Sequence, residues 1–337
     1  MRWSESKEKQ YVIIICAIGC CALGATAEAW AADGLKPDQQ DVIERWEWVE
    51  PVDQRASTDK PFEFSLGAGH RKDHLDWSIA GGSVNVLSEL KWENLKIAQI
   101  SAAARLNIDA DWSLRGKLAY GRINSGSNQD SDYDGNNRTL EFSRSNNRGG
   151  GVVRDGSLCL GRTLRLLNYD GENFLSVTPS AGLSINRQNL TMTQGFQTLP
   201  ATGPFPGLDS SYDAKWQGPW VGVEALLESN SDWSLTVSGE YHWVDYTANA
   251  NWNLRPEFSH PVSFVHTAIG QGILLAAGAT YLVSKDWRVG FSVEAQQWNT
   301  GAGIDKTFFS DGTVGYSRLN GVNWESTAIN LGVHYRF

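Results

Sequence analysis

One short stretch carries most of the reactive groups. Asp130-Ser131-Asp132-Tyr133-Asp134-Gly135, with Glu141 at the twelfth place, fits the string D-x-D-x-D-G-x5-E. In that string, carboxylates at alternate positions curl around a hard cation and glycine allows the sharp turn. Asp130, Asp132, Asp134 and Glu141 are therefore candidate calcium ligands. The context departs from a helix–loop–helix site: the flanks read as strands, and Asn137 stands at the usually apolar eighth place. An acidic, solvated loop tip accounts for the same residues and stays open beside the calcium reading. Imidazoles are sparse. His70 and His74 lie near Asp73 and Asp76, and His260 and His266 near Glu257. Cys159 stands alone beyond residue 21, so no intrachain disulfide framework is expected.

Strands must position these groups. The last nine residues run Ile329-Asn330-Leu331-Gly332-Val333-His334-Tyr335-Arg336-Phe337. Side chains alternate across a strand, so one face is apolar and the other polar. Ending on an aromatic residue, this looks like the closing strand and assembly signal of a bacterial outer-membrane β-barrel, read by the barrel-assembly machinery. The amino-terminus agrees. Arg2, Lys7 and Lys9 precede an apolar run from Tyr11 to Gly24, and Ala25, Ala27 and Ala29 follow at cleavage-site spacing. Residues 1–29 are expected to be a secretory signal peptide. The run is too short for a membrane-spanning helix, which needs about 20 apolar residues. Ala17-Ile18-Gly19-Cys20 is a loose lipobox, which leaves lipidation at Cys20 as an alternative. Residues 30–61, with Trp46, Trp48 and Pro51, read as a charged periplasmic extension, helical at 39–49, or as a disordered leader.

No later segment is continuously apolar, which excludes a helical membrane protein. Lipid-facing strands need only every second residue apolar. The 15 Trp and 10 Tyr suit membrane interfaces, where aromatic rings are half wet. A net charge of -9 argues against nucleic acid as a partner. Polar turns precede Trp112, Trp233 and Trp287, and a further turn spans 168–173. Long polar stretches lie at 70–86, 124–150, 191–215, 246–267 and 299–323. Four short turns alternating with five long loops predict an all-β, ten-stranded antiparallel transmembrane β-barrel over residues 62–337. Trp233, Leu235, Val237, Tyr241 and Trp243 share one face, and Trp287, Val289, Phe291 and Val293 another. Leu90 to Ile108 reads as one strand too long for the bilayer alone. Inward charges and amides predict a packed polar lumen, too narrow for a porin-like channel unless side chains leave a gap.

The strand count and several strings resemble the omptin family of outer-membrane proteases across residues 62–337. Leu87-Ser88-Glu89-Leu90-Lys91-Trp92 resembles the start of the long second omptin strand. Ile123 to Ser127, followed by Asp132-Tyr133-Asp134, resembles the loop with one catalytic aspartate pair. Tyr212 to Gly222 resembles the sixth strand, and Tyr241-His242-Trp243-Val244-Asp245 the strand before the second pair. Omptins are endopeptidases in which an Asp-x-His dyad activates water across a groove from the aspartate pair. The resemblance assigns Asp132 and Asp134 to that pair, with Gly135 at the family's Trp. The dyad positions fall on Ala250 and Trp252, neither of which can do acid–base work. A shifted gap brings His260 to the groove instead. Omptins also bind lipopolysaccharide, and Arg187 and Lys215 resemble two of those contacts. Ordinary interfacial cations reaching for headgroups give the same pattern.

The expected function is that of a non-proteolytic, omptin-like protein in the outer membrane of a Gram-negative bacterium. It would act through its external loops on a surface partner, an extracellular protein or lipopolysaccharide. The alternatives are an active omptin-type endopeptidase that uses Asp132, Asp134 and His260, and a narrow channel.

Overall fold

The computed structural model describes residues 60–168, 173–229 and 232–337. The signal peptide, nearly all of the periplasmic extension and the tips of the turns at 168–173 and 228–235 lie outside the described residues. Thirteen strands follow in order: β1 (Phe62–Gly81), β2 (Val84–Asn107), β3 (Trp112–Gly135), β4 (Thr139–Arg162), β5 (Leu164–Asn168), β6 (Asn173–Leu199), β7 (Gly203–Pro204), β8 (Asp209–Ser229), β9 (Trp233–Asn251), β10 (Phe264–Ser284), β11 (Trp287–Thr300), β12 (Gly303–Phe308) and β13 (Val314–Arg336). Ten of them close an antiparallel ring in the order β1, β2, β3, β4, β6, β8, β9, β10, β11, β13, with β13 pairing back onto β1. β5, β7 and β12 add short pairings to that wall. The all-β barrel class and its ten strands are those expected.

The loops are not. The stretches at 70–86, 124–150 and 299–323 are mostly strand, and the tips are as short as Gly82-Ser83 and Asn136–Arg138. Among the described residues, the longest irregular segments are 252–263 and 309–313. The polar stretches resemble loops because the strands leave the bilayer while still pairing with each other. Above it their outer face meets water.

The hydrophobic phase inverts at that point. In β9, Leu235, Val237 and Trp243 point outward and are 51%, 61% and 49% exposed, whereas Val244, Tyr246, Ala248 and Ala250 point inward and are buried. In β13, Ile329, Leu331 and Val333 face out, and Val322 and Trp324 face in. One end of the barrel is therefore apolar outside and polar inside, and the other is the reverse. Trp112, Trp233 and Trp287 each open a strand at the periplasmic margin, half exposed as an interfacial ring should be.

In the membrane half, most cations inside the lumen are paired with acids, whereas Arg105 donates to Asn107 and Thr163 instead. Arg71 binds Asp73 through two bonds of 2.6 Å and Asp155 at 2.5 Å. Lys117 meets Glu294 at 2.5 Å, and Arg115 meets Glu224 at 2.9 Å. Arg at Leu235, Val237, Val289 or Val293 is expected to destabilise the barrel by about 2–4 kcal/mol near the midplane. Polar replacements at the inward Thr236 and Ser292 should be tolerated. Reversible unfolding in lipid vesicles tests this, and equal costs on both faces would overturn the assigned register.

Candidate functional site

The extracellular lumen is where omptin-type chemistry would have to occur. Its floor is an aromatic core. Trp92 stacks on Tyr212 at 5.3 Å, Trp216 contacts Tyr246 at 4.4 Å, and Trp298 stacks on Trp324 at 5.2 Å between ring centroids. All six rings are buried. They are delivered from β2, β8, β9, β11 and β13, whose alternation places one large inward ring every second or fourth residue.

Above this floor, Asp130 and Asp132 share the inner face of β3. Each lies opposite an inward residue of β4, Ser145 and Ser143 respectively. The Trp252 indole faces the Asp130 carboxyl. Arg255 reaches Asp132 at 3.7 Å and Glu257 at 3.5 Å. Burial, reinforced by the Asp132 charge, pushes the Asp130 carboxyl up to about 7. A carboxyl raised in this way is favoured while protonated. Its contribution to the fold is complete below the ordinary carboxylate range and is lost as pH rises through about 7. Carbonyl-carbon NMR in nanodiscs should show one carboxyl of the pair titrating near 7, with its midpoint falling in Asp132→Asn. An ordinary midpoint in the unmodified protein would remove the coupled pair.

The candidate calcium and catalytic residues do not converge. β3 is extended through Gly135, so Asp130 and Asp134 lie about 13 Å apart along the strand. A chain this straight does not curl its carboxylates around a common ion, whose oxygen ligands lie about 2.3–2.6 Å from it. Asp134 is exposed, and Glu141 is taken by Arg144. Among the described residues, no three His, Cys, Asp or Glu side chains form a metal-binding group. The inward aspartates are therefore Asp130 and Asp132, not Asp132 and Asp134. His260 is exposed and its Nδ1 lies 2.7 Å from Asn251 Oδ1. His266 is buried deeper, between the Tyr212 hydroxyl at 2.9 Å and Asp305 at 3.4 Å, and burial pushes its imidazole down.

A second catalytic-looking chain sits lower in the lumen. The Ser184 hydroxyl lies 3.0 Å from His242 Nδ1, and His242 Nε2 lies 3.0 Å from Glu240. It opens on a cavity of about 60 Å³, room for a few waters but not for a substrate.

The outer wall carries a different feature. On six neighbouring strands the apolar outward run ends, within one or two outward positions, at a cation: Lys72, Lys96, Arg122, Arg154, Arg187 and Lys215 on β1, β2, β3, β4, β6 and β8. On the other four strands it ends at Asp245, Gln271, Gln297 and Thr327 followed by Glu325. Three pairs of these cations lie directly opposite each other across strands: Lys72 with Lys96, Arg154 with Arg187, and Arg187 with Lys215. Such like-charge pairs are destabilising unless an anion lies between them. Among the described residues, only Arg187 of the six has an ion-pair partner, Asp213 at 3.4 Å. Arg187 and Lys215 were expected from sequence; the other four and Arg255 were not. Their signal was present, as a Lys or Arg in the outward phase just past the last apolar residue.

A family model described as Pom, Protochlamydia outer membrane protein, matches residues 65–337. Curated protein sequences give no match. Among solved structures, the outer membrane protease OmpT from Escherichia coli superposes with a TM-score of 0.66 at 17% identity, over 83% of this chain and 98% of that one. That identity establishes the fold alone. OprG from Pseudomonas aeruginosa (TM-score 0.31, 10% identity, 82% of this chain and 97% of that one) is a much more distant match. So is the translocator domain of the autotransporter NalP from Neisseria meningitidis (0.30, 13%, 84% and 90%).

Proposed function

This chain belongs to the Protochlamydia outer membrane protein family and lies in the lipid of a Gram-negative outer membrane, and from that premise we propose a non-proteolytic, omptin-like surface barrel that binds lipopolysaccharide. One observation carries the non-proteolytic part: the groups facing Asp130 and Asp132 are the Trp252 indole and the Arg255 guanidinium. An indole N–H donates a hydrogen bond but takes no proton at neutral pH. A guanidinium stays protonated and cannot act as the base. General-base catalysis contributes about 10²–10⁴-fold, and neither group supplies it.

The lipid-binding part rests on the arc of six cations at the upper margin of the apolar belt. Phosphates placed between Arg154, Arg187 and Lys215 relieve three facing positive charges at once. Residues 1–29 as a signal peptide, residues 30–61 as a periplasmic extension and Phe337 as the mark read by the assembly machinery complete the proposal.

Two measurements test it. With lipopolysaccharide present, a fluorogenic library of peptides with paired basic residues should be cut no faster by the unmodified protein than by Asp130→Ala/Asp132→Ala. Cleavage lost in the double variant would establish the active protease, and His260→Ala and His266→Ala would then identify its base. Separately, Arg154→Ala/Arg187→Ala/Lys215→Ala should lower co-purified lipopolysaccharide about tenfold or more. An unchanged lipid content would remove the binding role.

A further inference from the structure

The hydroxyl, imidazole and carboxylate inside the membrane half of the lumen stand apart from the aspartate site and the cation arc. Ser184 is on β6, and His242 and Glu240 are on β9. β8 runs between them, and its inward Gly218 lies opposite Ser184. The hydroxyl and the ring therefore meet across a position without a side chain. Leu183 and Ile185, on either side of Ser184, face outward into the apolar belt. The three groups sit at bilayer depth, and whatever reaches them comes through the lumen.

Their order is the one that activates a nucleophile. The Glu240 carboxylate accepts from His242 Nε2 at 3.0 Å, which leaves Nδ1, 3.0 Å from Ser184 Oγ, to accept the hydroxyl proton. Trp220 stacks on the imidazole at 5.6 Å, and Trp298 lies 4.7 Å from it. Two indoles fix the ring and favour the positive charge it gains. Asn186 stands two residues along the same face of β6, more than nine-tenths buried, and lines the same cavity. Its Nδ2 has no hydrogen-bond partner. A buried donor left unpaired is costly, and it is the group a developing oxyanion needs.

We propose that Ser184, His242, Glu240 and Asn186 form a hydrolase site for esters of very small carboxylic acids, acetyl esters first. The cavity of about 60 Å³ sets the size. At roughly 10–15 Å³ for each water-sized group, it takes about four non-hydrogen atoms, which is an acetyl group with its ester oxygen. A whole substrate does not fit, so the alcohol part stays on the periplasmic side. There the inward residues include Gly67, Ala103, Ser180, Gly182, Ser292 and Gly332, all partly exposed. In the first step Ser184 Oγ bonds to the carbonyl carbon and its proton passes to His242 Nδ1. The carbonyl oxygen takes the negative charge and accepts from Asn186. The bond to the ester oxygen then breaks, and the leaving alkoxide takes the proton from His242. A water repeats the sequence, releasing the carboxylic acid and restoring the hydroxyl. The inference is independent of peptide cleavage above the aromatic floor and of lipopolysaccharide on the outer wall.

The test uses the full chain in lipid vesicles. Methanesulfonyl fluoride should place one sulfonyl group on Ser184, identified by peptide mass spectrometry, with loss of fluoride. The labelling rate should rise with pH as one imidazole loses its proton. His242→Gln should lower that rate about 10²-fold or more and flatten the pH profile. Glu240→Gln, which keeps the side-chain size, should act in the same direction and serves if His242→Gln does not fold. Heat-modifiability verifies folding of each variant. Para-nitrophenyl acetate should be turned over repeatedly, and the butyrate at least about tenfold more slowly. Asn186→Ala should slow the acetate about 10²-fold, and Ser184→Ala should abolish turnover. An unlabelled Ser184 in the folded protein, labelling as fast in the folded His242 or Glu240 variant as in the unmodified chain, or no turnover of the acetate would each overturn the proposal.

Discussion

Arg71→Ala is expected to cost about 3–5 kcal/mol, the usual consequence of removing one partner from a buried ion network. The guanidinium is almost fully buried at the junction between the two halves of the barrel. It donates two bonds to Asp73 and one to Asp155, and lies 5.4 Å from the ring of Trp324, whose own N–H also donates to Asp73. Without it, two carboxylates face each other uncompensated beside the polar cavity. Asp73→Asn with Asp155→Asn should recover most of the loss, because the replacement amides carry no charge. Denaturant titrations in vesicles give the numbers. A single variant costing under 1 kcal/mol, or no recovery in the triple, would show that water already reaches this layer.

The second large effect concerns the aromatic floor. Trp216→Ala and Trp324→Ala should each destabilise by about 3–5 kcal/mol. Together they should also turn a silent protein into a conducting one in planar bilayers. Both rings are fully buried, 6.0 Å apart, and Trp298 lies against each. Beneath them is the polar cavity lined by Lys117, Glu240, His242 and Glu294. Removing two indoles joins that cavity to the mouth. Discrete current steps in the double variant alone would identify the rings as the barrier. Steps from the unmodified protein would favour the channel reading. Silence in both would mean that the ion pairs below also block the path.

Much of the wall was legible because the bilayer imposes one rule on every strand. Leu235, Val237, Val289 and Val293 stand in the outward phase in the sequence and on the barrel alike. The strand extensions were harder to read. Residues such as Asp76, Lys91, Asn146 and Asn249 resemble loop until their inward neighbours Leu75, Trp92, Asn147 and Ala248 are read as the apolar or buried phase. The site was less legible still. The spacing of Asp130, Asp132 and Asp134 is common to a curled cation loop and a straight strand, and only the pairing with β4 separates them. Arg255 lies far along the chain, on a segment whose path no local pattern fixes.

The reversal of polarity along each strand also governs the order of assembly. Tyr246, Trp216 and Trp324 cannot pack together until their hairpins have emerged on the far side of the bilayer. Until then the polar residues that flank them have no water to face. Once the rings meet, retreat of any hairpin would draw Asp245, Asn249 or Glu325 back through hydrocarbon and open the packed interior in the same movement. The aromatic floor, once packed, therefore opposes withdrawal of any one hairpin as well as stabilising the folded wall.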